Sequence, residues 1–209
     1  MRRMTCGFLL LLALAVLLSA TWASGASAAP AWKFGGVELS EPEAIAGGST
    51  NSALSIPGIT TSCKRFPYDM TVFNEASTAR GEITEAAPDE CSTNTTCEIE
   101  SLTAEGFPWK LHGVTLKVES KLVNYVVIEG IRISVLYVGD ECALDEILVT
   151  YTGSAAGKYD STTGTFTLSA VNSNAAGAQM KALGSSAQFT GVFSTEALGL
   201  HSGEVLELG

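Results

Sequence analysis

The chain has 209 residues, with 22 acidic side chains against 12 basic ones and a formal net charge of −10. That balance argues against a nucleic-acid binder, which needs a basic face to displace counterions. Charged residues make up 16% and apolar residues 46%, so the chain can bury a core and falls outside the disordered class.

Residues 1–28 have the form of a signal peptide. Arg2 and Arg3 supply a positive start, and residues 8–18 are an uninterrupted apolar run. The run is shorter than the roughly 20 apolar residues of a membrane-spanning helix. Ala26-Ser27-Ala28 then fits the A-x-A cleavage rule. Cys6 precedes the apolar run, whereas a lipidated cysteine follows it. Cleavage after Ala28 leaves 181 residues, in which 22 acids face 10 bases. The longest later apolar stretch, 122–137, is broken by Asn124, Glu129, Gly130 and Arg132, so no transmembrane segment is expected in the mature chain. The expected product is a soluble, exported protein, secreted or at the cell surface. It forms a single β domain over 29–209, with a candidate sub-boundary near 153–157.

Strand signals dominate the mature chain. Residues 41–55 are small and polar and read as a mobile loop after a first strand. Short strands are expected at 60–63, 70–74, 81–85, 98–102 and 125–129. Val114, Leu116 and Val118 alternate with polar neighbours. Ile131, Ile133, Val135 and Tyr137 alternate with Arg132, Ser134 and Leu136, and Ile147, Val149 and Tyr151 with Leu148, Thr150 and Thr152, the leucines marking strands covered on both faces. Period two is the mark of a half-buried strand. Glu129-Gly130 reads as a hairpin tip, and 159–164 as a turn. Further strands are expected at 165–170, 188–194 and 203–208. The one helix signal is 175–183, rich in alanine but interrupted by Gly177. About ten short strands with frequent turn residues indicate an all-β protein, an antiparallel β-sandwich or barrel. The amphipathic crossover helices of a βαβ fold are missing.

Without the leader, four cysteines remain: Cys63, Cys91, Cys97 and Cys142. In an oxidising compartment they imply two disulfides, with three pairings open. The polar five-residue stretch between Cys91 and Cys97 favours a local Cys91–Cys97 bridge, leaving Cys63–Cys142. Zinc is disfavoured, because no C-x-x-C pair exists and both histidines are far from every cysteine.

Groups that could carry chemistry are few. His112 opens a strand and His201 lies in a turn, and neither has a G-x-S-x-G elbow to serve. Asp140-Glu141 and Asp145-Glu146 flank Cys142 without the spacing of a calcium loop. Trp32, Phe107 and Trp109 offer flat faces that could stack on a sugar ring, against the alternative that they are core. Asn94-Thr95-Thr96 matches a glycosylation sequon. No phosphate loop, dinucleotide fingerprint or basic patch is present, so no cofactor is expected.

The start Trp32-x-x-Gly35-x-x-x-Leu39, the strands at Thr60 to Cys63 and at Gly81-Glu82-Ile83, the paired central cysteines and the closing Gly203 to Leu208 form a pattern. It resembles a group of uncharacterised exported proteins of soil actinobacteria. The resemblance implies an exported, disulfide-bonded, all-β protein and brings no catalytic residues with it. The function expected is a non-enzymatic structural or binding role, with a cell-wall polysaccharide as one ligand class. A secreted hydrolase acting on such polymers is the rival.

Overall fold

The structure is a computed structural model and describes residues 29–209. The leader expected over 1–28 lies outside the described residues. The described residues are all-β and antiparallel, with one short helix. Three short strands at its two ends, β1 (Trp32–Phe34), β2 (Val37–Glu38) and β15 (Leu206–Leu208), form a small sheet. Twelve strands form the second sheet. In its first half these are β3 (Glu43–Ser49), β4 (Ser52–Ile56), β5 (Ile59–Glu75), β6 (Thr78–Ala86), β7 (Asp89–Thr93) and β8 (Glu98–Ala104). In its second half they are β9 (Trp109–Val118), β10 (Lys121–Val138), β11 (Ile147–Asp160), β12 (Thr165–Leu168), β13 (Met180–Ala182) and β14 (Ser185–Ala197).

The large sheet curls into a barrel of two storeys. Four strands, β5, β10, β11 and β14, are 13 to 18 residues long and run through both. In the lower storey eight ladders close a ring: β5–β6, β6–β9, β9–β10, β10–β11, β11–β12, β12–β14, β14–β3 and β3–β5. In the upper storey β4, β7, β8 and β13 take the places between the long strands. There the ring has a seam, because no ladder joins β7 to β8.

The long strands explain the main differences from the expected elements. Glu129-Gly130 is not a hairpin tip; it is a bulge within β10, with Gly130 at φ 74°. Before the bulge Val126 and Ile128 enter the core, and after it Ile131, Ile133, Val135 and Tyr137 do. One extra residue therefore keeps the apolar face inward across a change of parity. The strands expected at 60–63 and 70–74 are likewise one strand, whose inward set shifts from Ile59, Thr61 and Cys63 to Phe66, Tyr68, Met70 and Val72. The mobile loop expected at 41–55 is instead β3 and β4. Its small residues make room: the Tyr68 ring crosses Gly47 to reach β14, where its hydroxyl donates to the Ser194 carbonyl at 2.8 Å.

The helix is also displaced from its expected place. It is α1 (Ala170–Ala175), capped by Ser169, whose Oγ accepts from the Asn172 amide at 3.1 Å. The chain leaves it through Gly177 at φ 72°, and Met180–Ala182 is strand β13 rather than helix. The segment after α1 covers Val127 and Ala156, which face out from the barrel with Ala178 against them. Residues 153–157 lie inside β11.

Both expected disulfide pairings are corrected: the bonds are Cys63–Cys91 and Cys97–Cys142. Cys63 and Cys91 are direct cross-strand neighbours on β5 and β7, with Cα atoms 4.0 Å apart. Cys91 thus points at β5, not along its own turn. Asn94 holds that turn to the end of β5. Its amide donates to the Thr60 carbonyl, and its Oδ1 accepts from the Thr60 amide at 2.7 Å. Cys97 is then turned to the β10–β11 loop, where Cys142 meets it.

The lower end is closed by the small sheet. Trp32, Phe34, Leu206 and Leu208 are all buried. Asn74 at the end of β5 clamps this sheet, accepting from the Trp32 amide at 2.8 Å and donating to the Trp32 and Leu39 carbonyls. Tyr159 donates to the Leu206 carbonyl at 2.6 Å and Asn124 to that of Leu208.

Candidate functional site

Among the described residues, the upper end carries no such sheet. Four connections gather there, three of them between paired antiparallel strands and one joining β7 to β8 across the seam. The β4–β5 turn brings Pro57 and Gly58, the β7–β8 turn brings Thr95 to Cys97, and the β13–β14 turn brings Leu183. The longer β10–β11 loop adds Glu141, Ala143 and Leu144. Between them lies a cleft of about 450 Å³. Its walls are mainly Ile56, Pro57, Ile59, Ala143, Leu144 and Leu183, and Glu141 is its one charged residue. Leu183 is 53% exposed at φ 50°, an apolar side chain held in water by a tight turn. The size and the apolar walls with few polar groups are those of small-molecule sites.

The cleft is well braced. Cys97–Cys142 ties two of its loops together, and Thr96 Oγ1 donates to the Glu141 carbonyl at 2.9 Å. Asp145 Oδ1 accepts from the Gly139 amide at 2.8 Å, closing the long loop on itself. Inward from Ile59, the next core-facing residue of β5 is Thr61. It begins a buried hydroxyl chain, Thr61 to Tyr137 at 2.7 Å and Tyr137 to Tyr151 at 3.2 Å. Burial and the Tyr137 hydroxyl push the Tyr151 phenol well above its ordinary value. The chain remains neutral and satisfied, a polar strut within an apolar core.

The aromatic residues singled out in the sequence are elsewhere. Trp109 is 1% exposed, and its Nε1 donates to the Glu105 carbonyl at 2.9 Å. Phe107 is half-buried and stacks on it at 4.8 Å. Trp32 is fully buried in the lower sheet, with Nε1 on the Arg80 carbonyl at 2.8 Å. All five tyrosines are buried too. Neither Trp32 nor Trp109 presents a face on which a sugar could stack. Both fill the core and satisfy their N–H on backbone oxygens.

The two histidines are on separate elements with separate partners. His112 lies on β9 beside Arg80 on β6. Burial and the Arg80 charge lower its pKa, against an opposing pull from Glu129. His201 stacks on Phe34 at 4.3 Å, with Nδ1 3.3 Å from Glu204. The acidic pairs around Cys142 are divided, Glu141 lining the cleft and Asp145 bonding the backbone. Among the described residues, no group of three or more His, Cys, Asp or Glu side chains is placed to hold a metal ion. Asn94 of the sequon is exposed but engaged with Thr60.

The cleft as a whole went unnoticed in sequence because most of its residues sit in or beside turns, and Thr95, Thr96, Cys97 and Glu141 drew attention only for other reasons. A signal was present: Ala143-Leu144 and Leu183-Gly184 put apolar side chains where polar ones are usual. Among the described residues, no helix is long and apolar enough to cross a membrane. Comparison with protein-family models, with curated proteins and with solved structures finds no match, so the functional reading rests on this geometry.

Proposed function

We propose that the protein is an exported, non-enzymatic binding module, secreted or held at the cell surface, whose upper cleft takes a small, largely apolar molecule. The cleft carries the reading: four turns converge on an apolar hollow at an end of the barrel that, among the described residues, no sheet covers. Two disulfides suit an oxidising compartment, as does the signal-like leader. The likeness to exported actinobacterial proteins belongs to the same reading. The non-enzymatic part rests on the scarcity of catalytic residue types in the sequence. Burial of Trp32, Trp109 and all five tyrosines speaks against a sugar ligand, since among these described residues it leaves no stacking face.

The test uses a neutral, solvent-sensitive apolar dye. The oxidised protein should bind it saturably at one site. Leu183→Glu places a charge in the wall and should weaken binding about tenfold, the cost of roughly one lost apolar contact of leucine size. Circular dichroism of this turn variant should be unchanged. Absence of saturable binding, or binding indifferent to Leu183→Glu, would count decisively against the cleft.

A further inference from the structure

Among the described residues of the large sheet, ten of the twelve strands have ladders on both edges; only β7 and β8 are paired on one side. β7 pairs with β5 alone and β8 with β10 alone, and both unpaired edges face the same seam. No backbone hydrogen bond crosses between the two strands. A row of unpaired N–H and C=O groups is a template for another strand.

The core is also less covered here than elsewhere. Ile99, Leu102, Ala104 and Phe107 pack against it yet remain half-buried. On β10, directly opposite, Ile133, Val135 and Tyr137 are fully buried. The difference marks the side from which one more strand would cover them.

Charge selects the occupant. On the β7 bank Asp89 and Glu90 are matched by Arg65 and Lys64. On the β8 bank Glu98 and Glu100 are exposed and, among the described residues, form no ion pair. A second copy would bring the same acids against them in a chain of net charge −10. Like charges across a strand pair are destabilising, and opposite charges favour it.

We propose that the seam beside β8 receives an extended segment of a basic partner protein, in which apolar residues alternate with lysine or arginine. The backbone of that segment pairs with the free edge of β8. Its apolar side chains cover Ile99, Leu102 and Ala104, and its basic ones meet Glu98 and Glu100. This is strand addition, in which main-chain bonds supply affinity and alternate side chains supply specificity. The seam does not depend on the apolar cleft, so Leu183→Glu should leave it intact.

The experiment titrates the oxidised protein with a seven-residue peptide of alternating lysine and valine. Its counterpart alternates glutamate and valine, and a third carries the basic sequence with alternate backbone nitrogens methylated. The basic peptide should bind at least about tenfold tighter than the acidic one, and more weakly as salt rises. Methylation, which removes ladder donors and keeps charge, should cost about tenfold or more. Amide exchange of residues 99–104 should slow on binding. The double variant Glu98→Lys with Glu100→Lys, both exposed positions, should reverse the preference between the two peptides. The proposal is overturned by no saturable binding of the basic peptide, by binding that leaves 99–104 unprotected, or by indifference to methylation. Concentration-dependent self-association that protects 99–104 without peptide would also overturn it, in favour of a second copy.

Discussion

At the scale of single residues, the barrel depends on places where a missing side chain lets two strands and a ring share one volume. Gly47 is the clearest. A Cβ there would lie 2.2 Å from the Ser194 carbonyl oxygen and 2.4 Å from the Tyr68 hydroxyl. Neither can retreat cheaply, because they are hydrogen-bonded to each other across β3. Gly47→Ala should therefore destabilise the protein by about 2–3 kcal/mol or more, the cost of overpacking a filled core. Gly48, whose Cβ would meet nothing nearer than 3.4 Å, is the control. Gly48→Ala should cost well under half as much in a urea titration. Equal effects at the two sites would mean that the Tyr68 ring is not what demands the glycine. The small residues at 46–48 looked like a loop in sequence for this reason. A strand whose side chains are displaced by a neighbour's aromatic ring loses its own alternation.

At the scale of elements, the disulfides sit where the ring does not close. Cys63–Cys91 binds β7 to β5 on one bank of the seam, and Cys97–Cys142 binds the start of β8 to the β10–β11 loop on the other. They span 28 and 45 residues of chain. On the chain-entropy account each contributes about 3.5–4 kcal/mol. Cys97→Ala with Cys142→Ala should lower stability by about that amount. It should also speed amide exchange in residues 94–97 and 139–146 while leaving the lower ring protected. Unchanged exchange in those loops would show that Thr96 and Asp145 hold them without the bond. The all-β architecture, most strand positions and the count of two bridges were legible in sequence, because period-two patterning and cysteine number are local. The pairing was not. It depends on which strand lies beside β7, and on Asn94 turning Cys97 away from Cys91. The same limit hid the continuity of β5 and β10. The inward parity changes at the Gly130 bulge of β10 and between Cys63 and Phe66 of β5, and in sequence a changed parity looks like the end of a strand. The cleft was hidden because its residues come from four distant turns.

At the scale of the whole molecule, the barrel is filled rather than hollow, and its filling includes ionisable phenols. Tyr68, Tyr151 and Tyr159 are all buried, and burial pushes each pKa well above the ordinary value of 10.0. Tyr159 adds to the effect at Tyr68, and at Tyr159 the charges of Glu207 and Asp160 add to burial against an opposing hydrogen bond with Thr195. In the unfolded chain these phenols lose their protons near pH 10, whereas in the folded one they keep them. The folded state therefore binds more protons above that pH, and linkage makes stability fall as pH rises. The contribution is fully present below pH 10 and is lost progressively above it, with no counterpart from these groups at neutral pH. Alkaline unfolding should thus be cooperative. Tyrosinate absorbance should appear in step with the loss of near-ultraviolet circular dichroism, rather than as a gradual titration of an intact fold. Both storeys should go together, since Tyr68 and Tyr159 belong to the lower ring and Tyr151 to the hydroxyl chain under the cleft. Tyr151→Phe removes one such phenol, so its alkaline midpoint should lie above that of the parent when both are referred to their stability at pH 7. If tyrosinate forms near pH 10 with the dichroism intact, the phenols are open to water and the barrel interior is not filled.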